Sequence, residues 1–380
     1  MGHGTDGGMK RGIPSITVAG GGPAGAVTAC LLAREGLSVT LCESAVREQE
    51  KVGETLPPSA TGLLKRLGLF SGSFAENHAP AYGIRCSWGS DIPEERDFVW
   101  ERAGLGWHLN RKRFEQDLAE FAKRSGVEWR PATTVRQPCR CAEGWQFTLH
   151  SGGKDQLCRA DFLVDATGRQ RGIASVISPR IKCHDRLIGI SCVLDLSAGE
   201  TEERITLIEA VPNGWWYSAP MPHRRITVVF FTDRDLWRPR VQLSGGLGEL
   251  LSLTRLTQRR ICGRYGMATR FRLLAADSSE LARCAGRRWL AVGDAANAFD
   301  PLADHGLVAA VGSAFYAARA IIDAINGRPD GPSRYAELMR ETFRAYRRSL
   351  RTCYLHEQRW PNEPFWNRRH ASIYEDGWRI

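Results

Sequence analysis

No stretch of this 380-residue chain reaches the roughly 18 uncharged apolar residues that a membrane-spanning helix needs. The most apolar segment, 306–325, carries Arg319 and Asp323 and is expected to be a buried helix. Residues 1–12 are Gly-rich and lack the apolar core of a secretory signal, so they read as a flexible tail and the expected location is the cytoplasm. None of the eleven cysteines forms a CxxC pair. Cys139 and Cys141 make a C-x-C with no second Cys or His pair nearby, so no metal site is expected. An odd count without a secretion signal predicts reduced thiols. The net charge of +10 comes without any nucleic-acid-binding motif and with the basic residues dispersed, so nucleic acid is not an expected partner. A basic surface would instead steer an acidic protein partner. No internal repeat is visible. The composition, 43% apolar and 25% charged, is that of an ordinary globular chain, long enough for two domains.

The clearest pattern lies near the start. Residues 15–19, Ser-Ile-Thr-Val-Ala, are strand-prone; Gly20-Gly21-Gly22-Pro23-Ala24-Gly25 follows, then a helical stretch to Glu35, a break at Gly36, and a second strand, 37–42, ending at Glu43. Strand, glycine-rich turn, helix, strand and acid at this spacing form a dinucleotide-binding fingerprint. Gly20 permits the tight turn, Gly22 lets the backbone approach a pyrophosphate, and Gly25 allows helix and strand to pack closely. The helix start at Pro23 and Ala24 offers free N–H groups and a positive dipole end to phosphates. Glu43 would accept from ribose hydroxyls.

Two later strands end in distinctive turns: 161–168, finishing Asp-Ala-Thr-Gly, and 288–294, finishing Gly293-Asp294, with Asp300-Pro301 after it. Aromatic, alternating segments lie between these motifs. Residues 82–88, 98–100, 188–196, 205–210 and 226–231 read as strands of an antiparallel sheet, since a parallel sheet would need intervening helices.

With these motifs together the chain resembles the glutathione-reductase-type flavoproteins, and more narrowly the FAD-dependent monooxygenases and halogenases. The resemblance covers about residues 14–370. It implies an α/β fold: a Rossmann-type FAD-binding domain with an inserted antiparallel-sheet substrate domain and a C-terminal helical segment. The boundaries it suggests are 13–80, 106–180 and 281–328 for the discontinuous FAD domain, 81–105 and 181–280 for the substrate-side sheet, and 329–380 for the helical segment. It places Asp294 on the ribityl chain, Arg111 against FAD, and the helix start at Gly306 toward the flavin pyrimidine. Asp294 as a helix N-cap and Arg111 as a helix-surface residue are the plainer readings.

Three segments point to a subgroup: 51–58 (Lys-Val-Gly-Glu-Thr-Leu-Pro-Pro), 213–222 (Asn-Gly-Trp-Trp-Tyr-Ser-Ala-Pro-Met-Pro) and 357–369, rich in Trp, Pro and Arg. They look like the flavoproteins that modify peptidyl Trp in quinone-cofactor biogenesis, in the maturation of quinohemoprotein amine dehydrogenase and of lysine and glycine oxidases. On that resemblance Trp215, Trp216 and Tyr217 are substrate-side candidates, although aromatic residues in sheets are more often core. Glu54, Asp304 and His305 are the candidates for moving protons. Halogenases carry W-x-W-x-I-P, whereas this chain has Tyr217 in place of the second Trp. They also need a Lys in the strand after the Gly-Glu loop, and 79–85 contains none, only Arg85. Halogenation is therefore disfavoured.

The expected activity is that of a monooxygenase, hydroxylating an indole ring with O2 and FAD reduced by NAD(P)H or a separate reductase. No second glycine fingerprint marks a nicotinamide-binding domain. The target is expected to be a Trp of an acidic partner protein. A small aromatic metabolite, the enoyl reduction of geranylgeranyl-reductase-like enzymes, and a non-enzymatic flavin-binding scaffold are the alternatives.

Overall fold

The computed structural model describes residues 13–45, 55–70, 74–101, 104–237, 250–266, 270–371 and 378–379. Its centre is a six-stranded sheet in the order Ala285–Gly286, Trp289–Ala291, Phe162–Asp165, Ser15–Ala19, Ser38–Cys42, Glu128–Arg130. All pairs are parallel except the short hairpin at 285–291. Parallel neighbours need a crossover, which helix Pro23–Arg34 provides between Ser15–Ala19 and Ser38–Cys42. Phe162–Asp165 is buried throughout, as a sheet covered on both faces requires. The register Ala19↔Cys42 brings Gly20 and Glu43 together at the carboxyl ends of the strands, where ligands bind in open α/β sheets.

Between Glu128–Arg130 and Phe162–Asp165 the chain makes an antiparallel meander, Thr133–Arg140, Trp145–Ser151 and Lys154–Ala160. A larger sheet of seven strands runs Arg272–Ala275, Leu187–Asp195, Arg225–Asp233, Gly214–Met221, Ile205–Val211, Gly83–Ser87, Glu94–Asp97. It draws on two separate stretches of sequence, and only the Gly83–Ser87 pairing with Ile205–Val211 is parallel. Residues 98–100, expected as a strand, form instead a 3-10 turn, Phe98–Trp100. The Asp97 carboxylate accepts from the Val99 N–H at 2.8 Å and turns the chain off the sheet edge.

Two long helices close the structure. Gly306–Ile325 has the length and apolarity of a membrane span. It packs, however, on Pro23–Arg34 and on Gly331–His356. Its buried positions Leu307, Val311, Ala314, Ala318 and Ile321 follow the three-and-four spacing of one helix face. Gly331–His356 presents Phe343, Tyr346, Leu350 and Tyr354 at the same spacing, and Pro364–His370 adds Phe365 and Trp366. These side chains meet Trp88, Trp215 and Phe231, so the C-terminal helices and the seven-stranded sheet share one core. The eleven cysteines form no disulfide. Burial pushes the thiols of Cys42, Cys192 and Cys284 up to about 12, which leaves them unreactive.

Candidate active site

The Gly-rich turn opens a long cleft of about 1660 Å³ between the parallel sheet and the seven-stranded sheet. Drug-sized ligands occupy roughly 300–1,000 Å³, so this cleft has room for a dinucleotide and a second molecule. At its outer end Gly20 has φ +106°, and a side chain there would overlap the Ala166 carbonyl. A side chain at Gly25 would overlap the Gly20 carbonyl. Gly22 differs, because a Cβ added there meets nothing within 4 Å. It caps helix Pro23–Arg34, so open space adjoins the unsatisfied N–H groups of a helix start. The Glu43 carboxylate accepts from the Gly21 N–H at 2.6 Å and from the Ala45 N–H at 2.7 Å, holding an acidic oxygen at the cleft wall. A cradle clear of Cβ atoms, a helix N-terminus and a fixed acceptor are the features a pyrophosphate and ribose require.

Midway along the cleft lies Asp294. It sits within a 3-10 turn, Gly293–Ala295, whose N-cap is Val292, so it is not itself a helix cap. Gly293 has φ +58°, and a Cβ there would come within 2.8 Å of the Ala24 methyl, which explains the glycine before the acid. The Asp294 side chain is 39% accessible and lines the cleft. Its depth in the protein raises its carboxyl above the ordinary range, while Arg169, Arg171 and Arg111 oppose that rise. Arg111 begins helix Arg111–Arg124, lines the cleft at 12% side-chain exposure, and pairs with Glu115 at 2.8 Å, so it is no ordinary surface arginine.

Arg169 and Arg171 were not singled out in the sequence. Arg169 stands 3.5 Å from Asp294 and donates to the Asp277 carbonyl at 2.5 Å and the Phe299 carbonyl at 2.8 Å. Arg171, buried with φ +50°, donates to the Ala295 and Ser279 carbonyls. Both are aimed by Asp165, whose carboxylate accepts from the N–H groups of Thr167, Ile173 and Ala174. The available signal was two arginines directly after the Asp-Ala-Thr-Gly strand end.

At the inner end, the turn 300–306 carries Asp300, Asp304 and His305. Burial pushes the carboxyls of Asp300 and Asp304 up to about 7. Asp304 has φ +49° and His305 faces the cleft, with Nδ1 against the Ala303 carbonyl. An Nδ1–H donating there leaves Nε2 as an acceptor. Gly306, the first residue of its helix, also lines the cleft. Glu54 lies outside the described residues.

Strand alternation divides the three aromatic candidates. Tyr217 lines the cleft and its hydroxyl lies 2.9 Å from Thr55 Oγ1. Trp215, on the same face, is fully buried behind Phe231, stacked at 4.1 Å. Phe231 itself lines the cleft. Trp216 points to the opposite face and stacks on Phe230 at 5.0 Å, away from the cleft. Successive residues of a strand cannot share one face, so the structure does not bring Trp216 to the site.

Compared with known proteins, the chain matches the family described as FAD binding domain over residues 14–334. It is 30% identical over 360 residues to LodB of Marinomonas mediterranea, named as an FAD-dependent oxidoreductase; the match covers 93% of this chain and 96% of LodB. Among solved structures it is similar to the myxobacterial chondrochloren halogenase CndH, with a TM-score of 0.85 at 21% identity, covering 96% of this chain and 87% of CndH. It is also similar to QhpG, a peptidyl tryptophan dihydroxylase essential for tryptophylquinone cofactor biogenesis, with a TM-score of 0.78 at 24% identity, covering 97% and 81% of the two chains. At these identities the two structures speak for the fold.

Proposed function

The chain belongs to the FAD binding domain family and is an FAD-dependent oxidoreductase, and on that premise we propose that it is a monooxygenase hydroxylating the indole ring of a Trp residue in a partner protein. The observation that carries this reading is the character of the inner cleft. Asp304, His305, Tyr217 and Phe231 supply two proton-handling groups and aromatic walls. Among the described residues no lysine stands on the sheet side; the lysines lining the cleft, Lys112 and Lys123, lie on helix Arg111–Arg124. Arg85, the nearest basic residue in the strand where halogenases carry lysine, is turned to Glu95 at 2.7 Å. QhpG, a peptidyl tryptophan dihydroxylase of the same fold, supports a protein-bound target; the cleft volume and the +10 charge favour a large acidic partner over a small neutral one.

FAD, when bound and reduced, supplies the activation of O2. The residues of this chain would hold it along the cleft: the turn 20–25 at the pyrophosphate, Glu43 at a ribose, and Asp294, braced by Arg169, at the ribityl hydroxyls. Helix Gly306–Ile325 directs its N-terminal N–H groups and positive dipole end at the inner cleft, where it would favour an anionic ring system. His305 Nε2 would take the proton released from the ring carbon that gains oxygen. Asp304, protonated up to about pH 7, would donate one to the departing oxygen. Tyr217 and Phe231 would orient the indole.

The test is reconstitution with FAD, NAD(P)H, a flavin reductase and O2 in the presence of chloride, followed by mass analysis of Trp-containing acidic proteins. Gain of oxygen on Trp supports the reading. Gain of chlorine assigns the chain to the halogenases that its fold also resembles.

A further inference from the structure

The seven-stranded sheet has an open margin on the cleft. Its outermost strand, Arg272–Ala275, pairs only with Leu187–Asp195 among the described residues. The direction of each backbone group follows from the ladder. The Ala276 N–H donates to the Leu187 carbonyl at 3.1 Å, and on the other side of the same strand the Leu196 N–H donates to the Arg224 carbonyl at 2.7 Å. Odd-numbered residues of Leu187–Asp195 therefore bond toward Arg272–Ala275, and even-numbered ones toward Arg225–Asp233. In the register Gly189↔Leu274 and Ile190↔Leu273, the inward-bonding residues of the outer strand are Arg272 and Leu274. Leu273 and Ala275 turn their N–H and carbonyl groups away from the sheet.

That outward side faces the cleft. All four residues of the strand line it, although their side chains alternate between the two faces of the sheet. A strand viewed on one face would contribute only every second residue; one viewed along its edge contributes them all. Leu273 is 56% exposed there. The site is close: Leu274 is in register with Gly189 and then Phe231, two strand spacings or about 10 Å away. Just past the strand, the Asp277 carbonyl accepts from Arg169, which also meets Asp294.

We infer that the edge strand Arg272–Ala275 captures the substrate as an extended acidic polypeptide segment, which adds an eighth strand to the sheet through the Leu273 and Ala275 backbone and so delivers its Trp to Tyr217 and Phe231. This rests on the protein-bound Trp proposed above and names how that Trp is held. Backbone pairing at a sheet edge supplies affinity with little demand on sequence. The charge of +10 favours acidic flanks. The mode excludes folded helical segments as targets, because the backbone groups inside a helix are already paired with one another.

The probe is a synthetic peptide of alternating Glu and Thr with one central Trp, offered to the FAD-loaded protein. Hydrogen exchange of the Leu273 and Ala275 amides should slow on binding. Leu273→Pro removes one outward N–H while sparing every ladder bond, a change that edge strands tolerate. It should weaken peptide binding roughly tenfold, whereas Leu273→Ala, which keeps the N–H, should not. Thermal melting and FAD uptake report whether each variant is folded; the exchange measurement needs no variant. Oxygenation of the peptide Trp with unchanged exchange at both amides overturns edge capture and leaves the monooxygenase reading standing. A peptide that neither binds nor gains oxygen, while N-acetyltryptophanamide gains it, overturns edge capture and the protein-bound target together, and leaves an indole monooxygenase of small molecules.

Discussion

The Tyr354 hydroxyl donates to Asp300 Oδ2 at 2.7 Å, and the Tyr354 oxygen itself accepts from Trp215 Nε1 at 3.2 Å. One phenol thus ties the C-terminal helix to the turn carrying Asp304 and His305 and to the sheet behind Phe231. Tyr346 adds a second tie, accepting from the Asp300 N–H at 2.7 Å. Tyr354→Phe strands a buried carboxylate oxygen and a buried indole N–H, which costs about 1–3 kcal/mol. The melting temperature should fall, and FAD retention should fall with it, because the turn 300–306 loses its anchor. A melting curve and a flavin absorbance spectrum check both.

The Gly-rich turn separates folding from cofactor binding. Gly22→Ala projects a methyl into empty cleft, so the apoprotein should melt as wild type does while FAD affinity drops by roughly tenfold or more. Gly20→Ala should instead destabilise the fold itself, by at least about 1 kcal/mol, since it forces a side chain at φ +106° against a carbonyl. Titration of apoprotein with FAD, beside denaturant unfolding, distinguishes the two.

Asp304 confers a pH dependence of definite sign. Its carboxyl is raised from the ordinary 3.8 to about 7 by burial, so the folded state favours the protonated form. The stability this contributes is complete below about pH 4 and is lost as pH rises through 7. Relative to Asp304→Asn, the wild-type apoprotein should therefore lose stability between pH 4 and pH 8. Turnover should lose the limb governed by an acid near pH 7 in the same variant. Parallel melting curves and pH–rate profiles test this.

Tyr217 and Trp216 are adjacent in sequence and opposite in consequence. Trp216→Phe preserves the stack on Phe230 and should leave KM and kcat within about twofold of wild type. Tyr217→Phe removes the hydroxyl near Thr55 from the cleft wall and should raise KM for the indole substrate several-fold.

Local chemistry was legible in the sequence. The 20–25 turn, Glu43 and the Gly293-Asp294 strand end announce themselves because each lies within one supersecondary unit. Period-two alternation alone also separates Trp216 from Tyr217, which the resemblance had grouped. The meander at 133–160 was missed because its outer strand, Lys154–Ala160, is almost wholly exposed and polar and carries little hydrophobic periodicity. Phe98–Trp100 looked strand-like from its aromatics, yet the short-range bond from Asp97 decided its shape. The links that build the inner site, Trp215 to Tyr354, Tyr354 to Asp300 and Arg169 to Asp277, join residues 139, 54 and 108 positions apart. Only folding brings such pairs together.

The most direct measurement is intact-mass and peptide-mass analysis of a Trp-containing acidic partner after turnover with FAD, NAD(P)H, a flavin reductase, O2 and chloride. The proposed function predicts one or two oxygen atoms added at a Trp side chain, and none when FAD is withheld. A chlorinated Trp, or an unmodified partner alongside an oxygenated small aromatic compound, would contradict the peptidyl monooxygenase.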